Sequence, residues 1–118
     1  MLFAKLTESP KSTKKYRVVL MDAQKNKIKT IDFGQRGASD YTIHKDRDRM
    51  IHYLMRHSHP GDYSYSHVRS PTSIQSSKEN WKDPRTAGFW SRWLLWSTTS
   101  VSSAKRLITN KFHIRFIR

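Results

Sequence analysis

Two segments near the N-terminus, residues 16–21 and 27–33, are rich in β-branched and aromatic residues that alternate with polar ones. A polar segment of hairpin length, residues 22–26, separates them, and this arrangement predicts a β-hairpin. Apolar side chains fall on both faces of the second strand. We therefore expect both faces to be covered in an assembled state. The glycines at the two ends of residues 34–37 favour a turn that ends the hairpin.

The hydrophobic period changes from two to about 3.6 after Asp40, which predicts an amphipathic helix over residues 44–57. Either Asp40 or Thr42 can cap its N-terminus. The opposite face carries charges of alternating sign, which is typical of a solvent-facing or partner-facing surface. The apolar stripe consists of Ile43, Met50, Ile51, Leu54 and Met55.

All four tryptophans of the chain lie between Trp81 and Trp96. Asp83 followed by Pro84 suits a helix cap and a first helical residue, so the segment predicts a helix over residues 84–96. Its apolar side chains would cover more than half of the helix circumference, and a chain of this size offers little core in which to bury them. We expect part of this surface to contact another protein or a membrane interface. The alternative is that the tryptophans form the domain's own core.

The chain as a whole predicts a small single α+β domain with an N-terminal β-hairpin, two or three short helices and extended basic tails. The domain would span residues 16–97. Residues 1–15 predict an N-terminal arm, and residues 98–118 predict a basic C-terminal tail. A serine-rich segment at about residues 58–80 has no stable periodicity and predicts a long loop.

The end of the C-terminal tail allows two interpretations. Phe112, Ile114 and Phe116 alternate with basic or polar residues. This is the pattern of an edge strand that could extend the sheet of another chain. The alternative is a helix over residues 103–118.

Charge narrows the class of partner. The 118 residues include 23 lysines and arginines against 9 acidic residues, a formal net charge of +14. Because a small soluble domain usually carries a net charge of about 2–8, we expect a polyanionic or acidic partner. Nucleic acid, an acidic protein surface and an anionic membrane surface all fit. The chain has no cysteine, and its apolar runs are too short for a signal-peptide core or a membrane-spanning helix.

The sequence contains little that suggests catalysis or metal binding. His57, His59 and His67 form the tightest histidine group, but their spacing matches no metal-binding motif. Asp46 and Asp48 are two residues apart, so they point to different faces of the predicted helix and form no carboxylate pair. We therefore expect no enzymatic activity, metal, cofactor or small-molecule substrate.

Four segments carry a resemblance to a known group of proteins: residues 16–20, 30–34, 39–46 and 80–96. The most specific part is the sequence AGFWSRWLLW at residues 87–96. Together these segments resemble a family of short, basic, uncharacterised proteins of nucleocytoplasmic large DNA viruses, over about residues 14–97. That family has no established activity, so the resemblance implies a viral origin and assigns no role to any residue.

These observations predict a structural component of a large DNA virus particle, a minor capsid or cement protein that binds neighbouring capsid proteins. It would be made in the host cell cytoplasm and reside in the virion. The alternative is a sequence-independent nucleic-acid-binding protein that aids genome packaging, and a third possibility is a role at the inner membrane surface. The predicted partner-binding residues are Trp81, Phe89, Trp90, Arg92, Trp93, Trp96, Phe112, Ile114 and Phe116.

Overall fold

The computed structural model describes residues 1–57 and 79–118. Three strands are followed by two helices, a helix that continues into a π-helical turn, a further helix and a fourth strand. The bounds are Leu2–Glu8 (β1), Lys14–Met21 (β2), Lys27–Gln35 (β3), Tyr41–His44 (α1), Arg47–His57 (α2), Ala87–Trp90 (α3), Ser91–Leu95 (the π-helical turn), Val101–Phe112 (α4) and Ile114–Ile117 (β4).

The four strands form one sheet in the order β3-β2-β1-β4. β2 runs antiparallel to both β1 and β3, whereas β4 runs parallel to β1. The predicted hairpin is present as β2 and β3. Gly34 (φ 77°) lies near the end of β3, and Gly37 (φ 89°) lies in the turn that follows the strand. The prediction of a small α+β domain with several short helices is confirmed.

Both terminal segments belong to the sheet, where the sequence predicted an arm at residues 1–15 and a tail at residues 98–118. β1 is an interior strand that pairs with β2 on one side and β4 on the other. Leu2, Ala4 and Leu6 point toward the core, and Phe3 and Lys5 point to the other face of the sheet. An interior strand satisfies its backbone hydrogen-bonding groups on both edges, which holds the N-terminal segment in place.

The C-terminal segment combines the two interpretations of its sequence. α4 occupies residues 101–112, and the edge strand β4 follows after a single residue, His113. His113 has a left-handed backbone conformation (φ 57°) and donates its N–H to the carbonyl oxygen of Thr109 at 3.0 Å. This αL cap ends the helix and turns the chain back along the sheet.

The main core lies between one face of the sheet and the layer formed by α3, the π-helical turn and α4. Alternation along each strand selects the sheet residues that enter it. The sheet contributes Ala4, Val18, Leu20, Ile31, Phe33 and Ile114, and the helical layer contributes Phe89, Trp90, Trp93, Leu94, Leu95, Ala104 and Ile108. A second cluster consists of Met50, Ile51, Tyr53, Leu54 and Trp81, and Trp96 packs against both clusters.

The helix predicted over residues 44–57 is divided into α1 and α2. Asp40, one of the two predicted caps, caps α1 and not the longer α2: its carboxylate accepts the N–H of Thr42 at 2.9 Å. Lys45 then adopts a left-handed conformation (φ 57°), and the Asp46 carboxylate accepts a backbone N–H from the first turn of α2. A second cap therefore restarts the helix. Within the predicted apolar stripe Met50, Ile51 and Leu54 are buried, whereas Ile43 and Met55 are exposed.

The tryptophan-rich helix begins later than predicted. The Asp83 carboxylate accepts the backbone N–H and the Nε–H of Arg85, both at 3.0 Å, and does not cap a helix. Thr86 is the cap, since its hydroxyl accepts the N–H of Phe89 at 3.2 Å. The helix then continues as a π-helical turn, a rare geometry that often marks a functional or closely packed segment.

Candidate interaction surfaces

Six of the nine predicted partner-binding residues are enclosed by the chain itself. The residues with 0% exposure are Trp81, Phe89, Trp90, Arg92, Trp93 and Ile114. They are covered because the sheet, α2 and α4 surround the tryptophan-rich segment from several sides. The structure thus places these six residues in the domain's own core and not on a surface that a partner could contact.

Hydrogen bonds to nearby acceptors fix the three buried indoles. Trp90 Nε1 donates to the carbonyl oxygen of Pro84 at 2.7 Å, and Trp93 Nε1 donates to that of Trp81 at 2.6 Å. Trp81 Nε1 in turn donates to Glu79 Oε1 at 3.3 Å. Because a buried indole N–H without a partner is costly, these bonds explain how so many tryptophans fit in one small core.

Arg92 is the only charged residue among the described residues that is fully buried. Its Nη1 donates to the carbonyl oxygen of Trp96 at 3.0 Å. The guanidinium carbon lies 4.2 Å from the centre of the Trp93 ring and 5.3 Å from that of Trp81. Such desolvated cation–π contacts contribute about 2 kcal/mol. Arg92 therefore ties the tryptophan rings together from inside the fold.

The other three predicted residues are partly buried and pack on the core. Trp96 stacks on Tyr53 with a centroid distance of 4.4 Å and an interplanar angle of 2°. Phe112 meets Phe89 edge-on at 4.8 Å. Phe116 lies edge-on to a core tryptophan at the border of the sheet. Only a fraction of each ring is available to a partner.

The face of the sheet that points away from the helices, here called the outer face, contributes no residue to either core cluster. Cross-strand register places Ile117, Lys5, Val19 and Thr30 in one row and Arg115, Phe3 and Met21 in the next. The apolar members are half-buried, and Lys5 and Arg115 are exposed. Lys25 Nζ lies 5.4 Å from the centre of the Phe3 ring. The outer face thus has an apolar centre, formed by Phe3, Val19 and Met21, and the cations Lys5, Lys25 and Arg115 border it. Lys5 lies between this centre and Ile117.

Sequence reasoning missed most of this surface because it assigned β1 to an arm. The signal was nevertheless present in the alternation of the first strand. Leu2, Ala4 and Leu6 fall on one side, and Phe3 and Lys5 fall on the other. A strand with apolar residues on both sides is typical of one whose two faces are both covered.

Asp32 lies at one end of the outer face in a network of its own. Arg17 Nε and Nη2 donate to the two carboxylate oxygens at 3.0 and 3.1 Å, and the Ser9 hydroxyl donates at 2.7 Å. Lys11 Nζ is 3.5 Å away. The hydrogen bonds from Arg17, with the Ser9 bond and the nearby cations, lower the pKa of Asp32 to about 2 against the effect of burial.

Several other acidic side chains of the described residues are also engaged within the chain. The pairs are Glu8 with Arg36 (3.0 Å), Asp40 with Lys15 (2.6 Å), Glu79 with His57 (3.0 Å) and Asp83 with Arg85 (3.0 Å). The acids thus serve local structure and offset only a minority of the 23 lysines and arginines. The remaining surface is strongly positive, which favours a negatively charged partner.

A cleft of about 440 Å³ opens between the ends of β2 and β3, α2 and α3. The Lys15–Asp40 and His57–Glu79 pairs lie in its wall. Tyr53 also lines it, and burial raises the pKa of its hydroxyl. The charged groups of these two pairs satisfy one another.

The described residues contain no group of three or more histidine, cysteine or acidic side chains placed to hold a metal ion. His59 and His67 of the predicted histidine group lie outside these residues, as does most of the loop predicted at residues 58–80. His44 accepts the N–H of Asp46 through Nδ1 at 2.9 Å, and burial lowers its pKa. Within residues 1–57 and 79–118, no helix has the length and apolar character needed to cross a membrane.

The fold and these surfaces define a small two-layer α+β protein with a cationic exterior and an apolar patch on the outer face of its sheet. Residues 4–57 are similar to a family described as a family of unknown function, DUF5754. The matched segment is less than half of the chain; it takes in β2, β3, α1, α2 and most of β1 and ends before the tryptophan-rich segment. No curated protein and no solved structure matches the chain.

Proposed function

We propose that the protein is a structural component of a large DNA virus particle, a minor capsid or cement protein with no enzymatic activity. Its outer sheet face would bind a neighbouring capsid protein. The observation that carries the proposal is the apolar centre formed by Phe3, Val19 and Met21 on the face opposite the helices. The viral setting is supported by the resemblance of the segments that include residues 87–96.

The size of the outer face fits part of a protein interface. Four strands about 4.8 Å apart, with an average length of roughly 23 Å, give a footprint of about 400 Å². A stable interface buries about 800 Å² on each partner, so adjoining loops or the open edge of β4 must also take part. An edge strand can accept a strand from a neighbour, which would supply the missing area.

The chemistry of the outer face specifies its partner. Lys5, Lys25 and Arg115 border the apolar centre, so a complementary surface has apolar residues surrounded by acids. Phe3 is the single aromatic residue in the two central rows. A platform for unpaired bases generally uses several aromatic rings, and this favours a protein over nucleic acid on this face.

Incorporation of a charged variant into particles tests the proposal. Val19→Glu places an acid in the apolar centre and should reduce the amount of this protein in purified particles about tenfold, as a loss of about 1.4 kcal/mol of binding free energy would. Ile43→Glu is the matched control, because Ile43 is 60% exposed on α1 and lies outside the outer face. Far-UV circular dichroism checks that both variants fold. Equal incorporation of both variants, or no ordered density for the chain in the shell by cryo-electron microscopy, would overturn the proposal.

A second candidate is sequence-independent nucleic-acid binding in genome packaging. The specific observation in its favour is that residues 84–118 contain seven lysines and arginines and no acid. Two of the seven are engaged within the chain, Arg92 in the core and Arg85 with Asp83. Four others lie on α4 and β4: Lys105, Arg106, Lys111 and Arg115. Binding through phosphate contacts would weaken steeply as salt is raised, which a titration with DNA measures directly.

A further inference from the structure

We infer that a concavity between α4 and β4 binds the phosphodiester backbone of nucleic acid, an inference that rests on the second candidate function and gives it a site. The concavity has a volume of about 310 Å³. This lies at the lower end of the range for ligand pockets. Its lining consists of Lys105, Arg106, Thr109, Asn110, Arg115 and Phe116.

The local fold brings these side chains together. Lys105 and Thr109 are four residues apart on α4, as are Arg106 and Asn110, so they form two neighbouring rows on one side of the helix. The one-residue turn after α4 sends the chain back as β4, which places Arg115 on the same concavity. Three cations from two elements therefore surround one space.

These cations have no acidic partner among the described residues. Lys105 Nζ lies 5.1 Å from the centre of the Phe116 ring, and Arg106 Nη2 donates to Ser103 Oγ at 3.1 Å. Both contacts orient the cations without neutralising them. Because like charges that converge repel one another, a bound anion would stabilise the arrangement.

The lining matches a phosphate group in its hydrogen-bonding capacity. The guanidinium groups of Arg106 and Arg115 can each donate two parallel hydrogen bonds to phosphate oxygens. The hydroxyl of Thr109 and the amide of Asn110 add further donors. Phosphate contacts carry no base information, so the binding should not depend on sequence.

The same lining distinguishes nucleic acid from an acidic protein as the ligand. Phe116 is its single apolar side chain, and this ring is half-buried against the core. Protein interfaces depend on buried apolar or aromatic anchors at their centre, which the concavity lacks and the outer face has. We therefore assign a polyanion of regularly spaced phosphates to the concavity.

Fluorescence anisotropy of the full chain with short labelled single-stranded and duplex DNA, over a salt series, tests the site. The site variant is Lys105→Gln/Arg106→Gln. The control variant Lys27→Gln/Lys29→Gln removes the same charge from exposed positions on β3, at the opposite edge of the sheet. Circular dichroism again checks folding.

Each lost phosphate contact should weaken binding roughly eightfold at about 0.1 M salt and reduce the salt slope by about 0.9 on duplex DNA. The site variant should therefore bind up to about 60-fold more weakly, with a slope smaller by about 1.8. The control should change affinity by less than about threefold, because it affects only the general charge.

The possible outcomes are distinct. Equal losses in the two variants would overturn the site and leave general nucleic-acid binding intact. Absence of DNA binding by the unmodified chain at about 0.1 M salt would remove both the site and the second candidate function, without bearing on the capsid proposal. Competition by polyglutamate as strong as that by unlabelled DNA would also overturn the inference, since it would point to an acidic protein.

Discussion

A substitution at Trp93 tests whether the tryptophan-rich segment packs in the core of the domain or contacts a partner. Its side chain is fully buried, and its Nε1 donates to the carbonyl oxygen of Trp81 at 2.6 Å. The ring lies edge-on to Phe112 with a centroid distance of 5.1 Å. Trp93→Phe removes the donor and one ring but leaves an aromatic side chain in place. We expect it to lower the free energy of unfolding without altering the outer face.

The expected decrease in the free energy of unfolding for Trp93→Phe has two parts. A buried carbonyl that loses its donor costs about 1–3 kcal/mol, and this applies to the carbonyl of Trp81. The missing ring leaves a cavity of roughly 40 Å³, which costs about 1 kcal/mol at 24 cal/mol per Å³. The expected loss for Trp93→Phe is therefore about 2–4 kcal/mol, a large part of the 5–15 kcal/mol typical of a domain.

Urea unfolding followed by far-UV circular dichroism measures this loss. Trp96→Phe is the matched control, because Trp96 is partly exposed and a phenylalanine ring can keep the stack on Tyr53. The control should lose less than about 1 kcal/mol, as expected for a partly exposed site. Unchanged stability of Trp93→Phe together with reduced incorporation into particles would refute the reasoning, since Trp93 would then face a partner.

Two further predictions concern single side chains. Because Arg17 holds the pKa of Asp32 at about 2, below its ordinary 3.8, Asp32 stabilises the fold above about pH 4, and this stabilisation is lost as the pH falls from about 4 to 2. Urea unfolding across this range should show a loss of about 1–2 kcal/mol, after allowance for screening at half-exposed Arg17, and Asp32→Asn should lack this step. Gly34→Ala should destabilise more than Gly37→Ala. Both positions have positive φ, which costs about 1–2 kcal/mol for alanine, but only at Gly34 would the new Cβ approach Leu95 Cδ1, at 3.0 Å. Equal urea midpoints for the two variants would contradict that close contact.

The sequence was sufficient to predict the elements that depend only on neighbouring residues. The hairpin of β2 and β3 follows from a period of two on each side of a polar segment. The cap at Asp40 follows from its side-chain chemistry alone. The break at Lys45 was missed because the hydrophobic stripe continues across it, while the Asp46 carboxylate supplies a second cap that the periodicity does not reveal.

The alternation of β1 and β4 is local, but the pairing of the two strands depends on contacts between distant parts of the chain, which no local pattern encodes. β4 pairs in parallel with β1 from Leu2 to Lys5, more than one hundred residues away in sequence. The burial of Trp90 and Trp93 depends on the same pairing, because residues of α4 and β4 pack against them. Trp81 is buried instead against α2. In the sequence alone, where this pairing is not visible, the tryptophans resemble an exposed partner-binding segment.

Because the tryptophans are buried, the candidate interaction surfaces lie on β1 and β4, the two strands that the sequence analysis placed outside the domain. β1 provides the centre of the outer face, and β4 borders both this face and the cationic concavity. Arg115 belongs to both surfaces, since it pairs with Phe3 across the strands and also lines the concavity. Its charge therefore cannot identify the partner. The discrimination comes from the neighbours of Arg115, because an apolar centre requires a protein surface whereas converging cations with hydroxyl and amide donors suit phosphate.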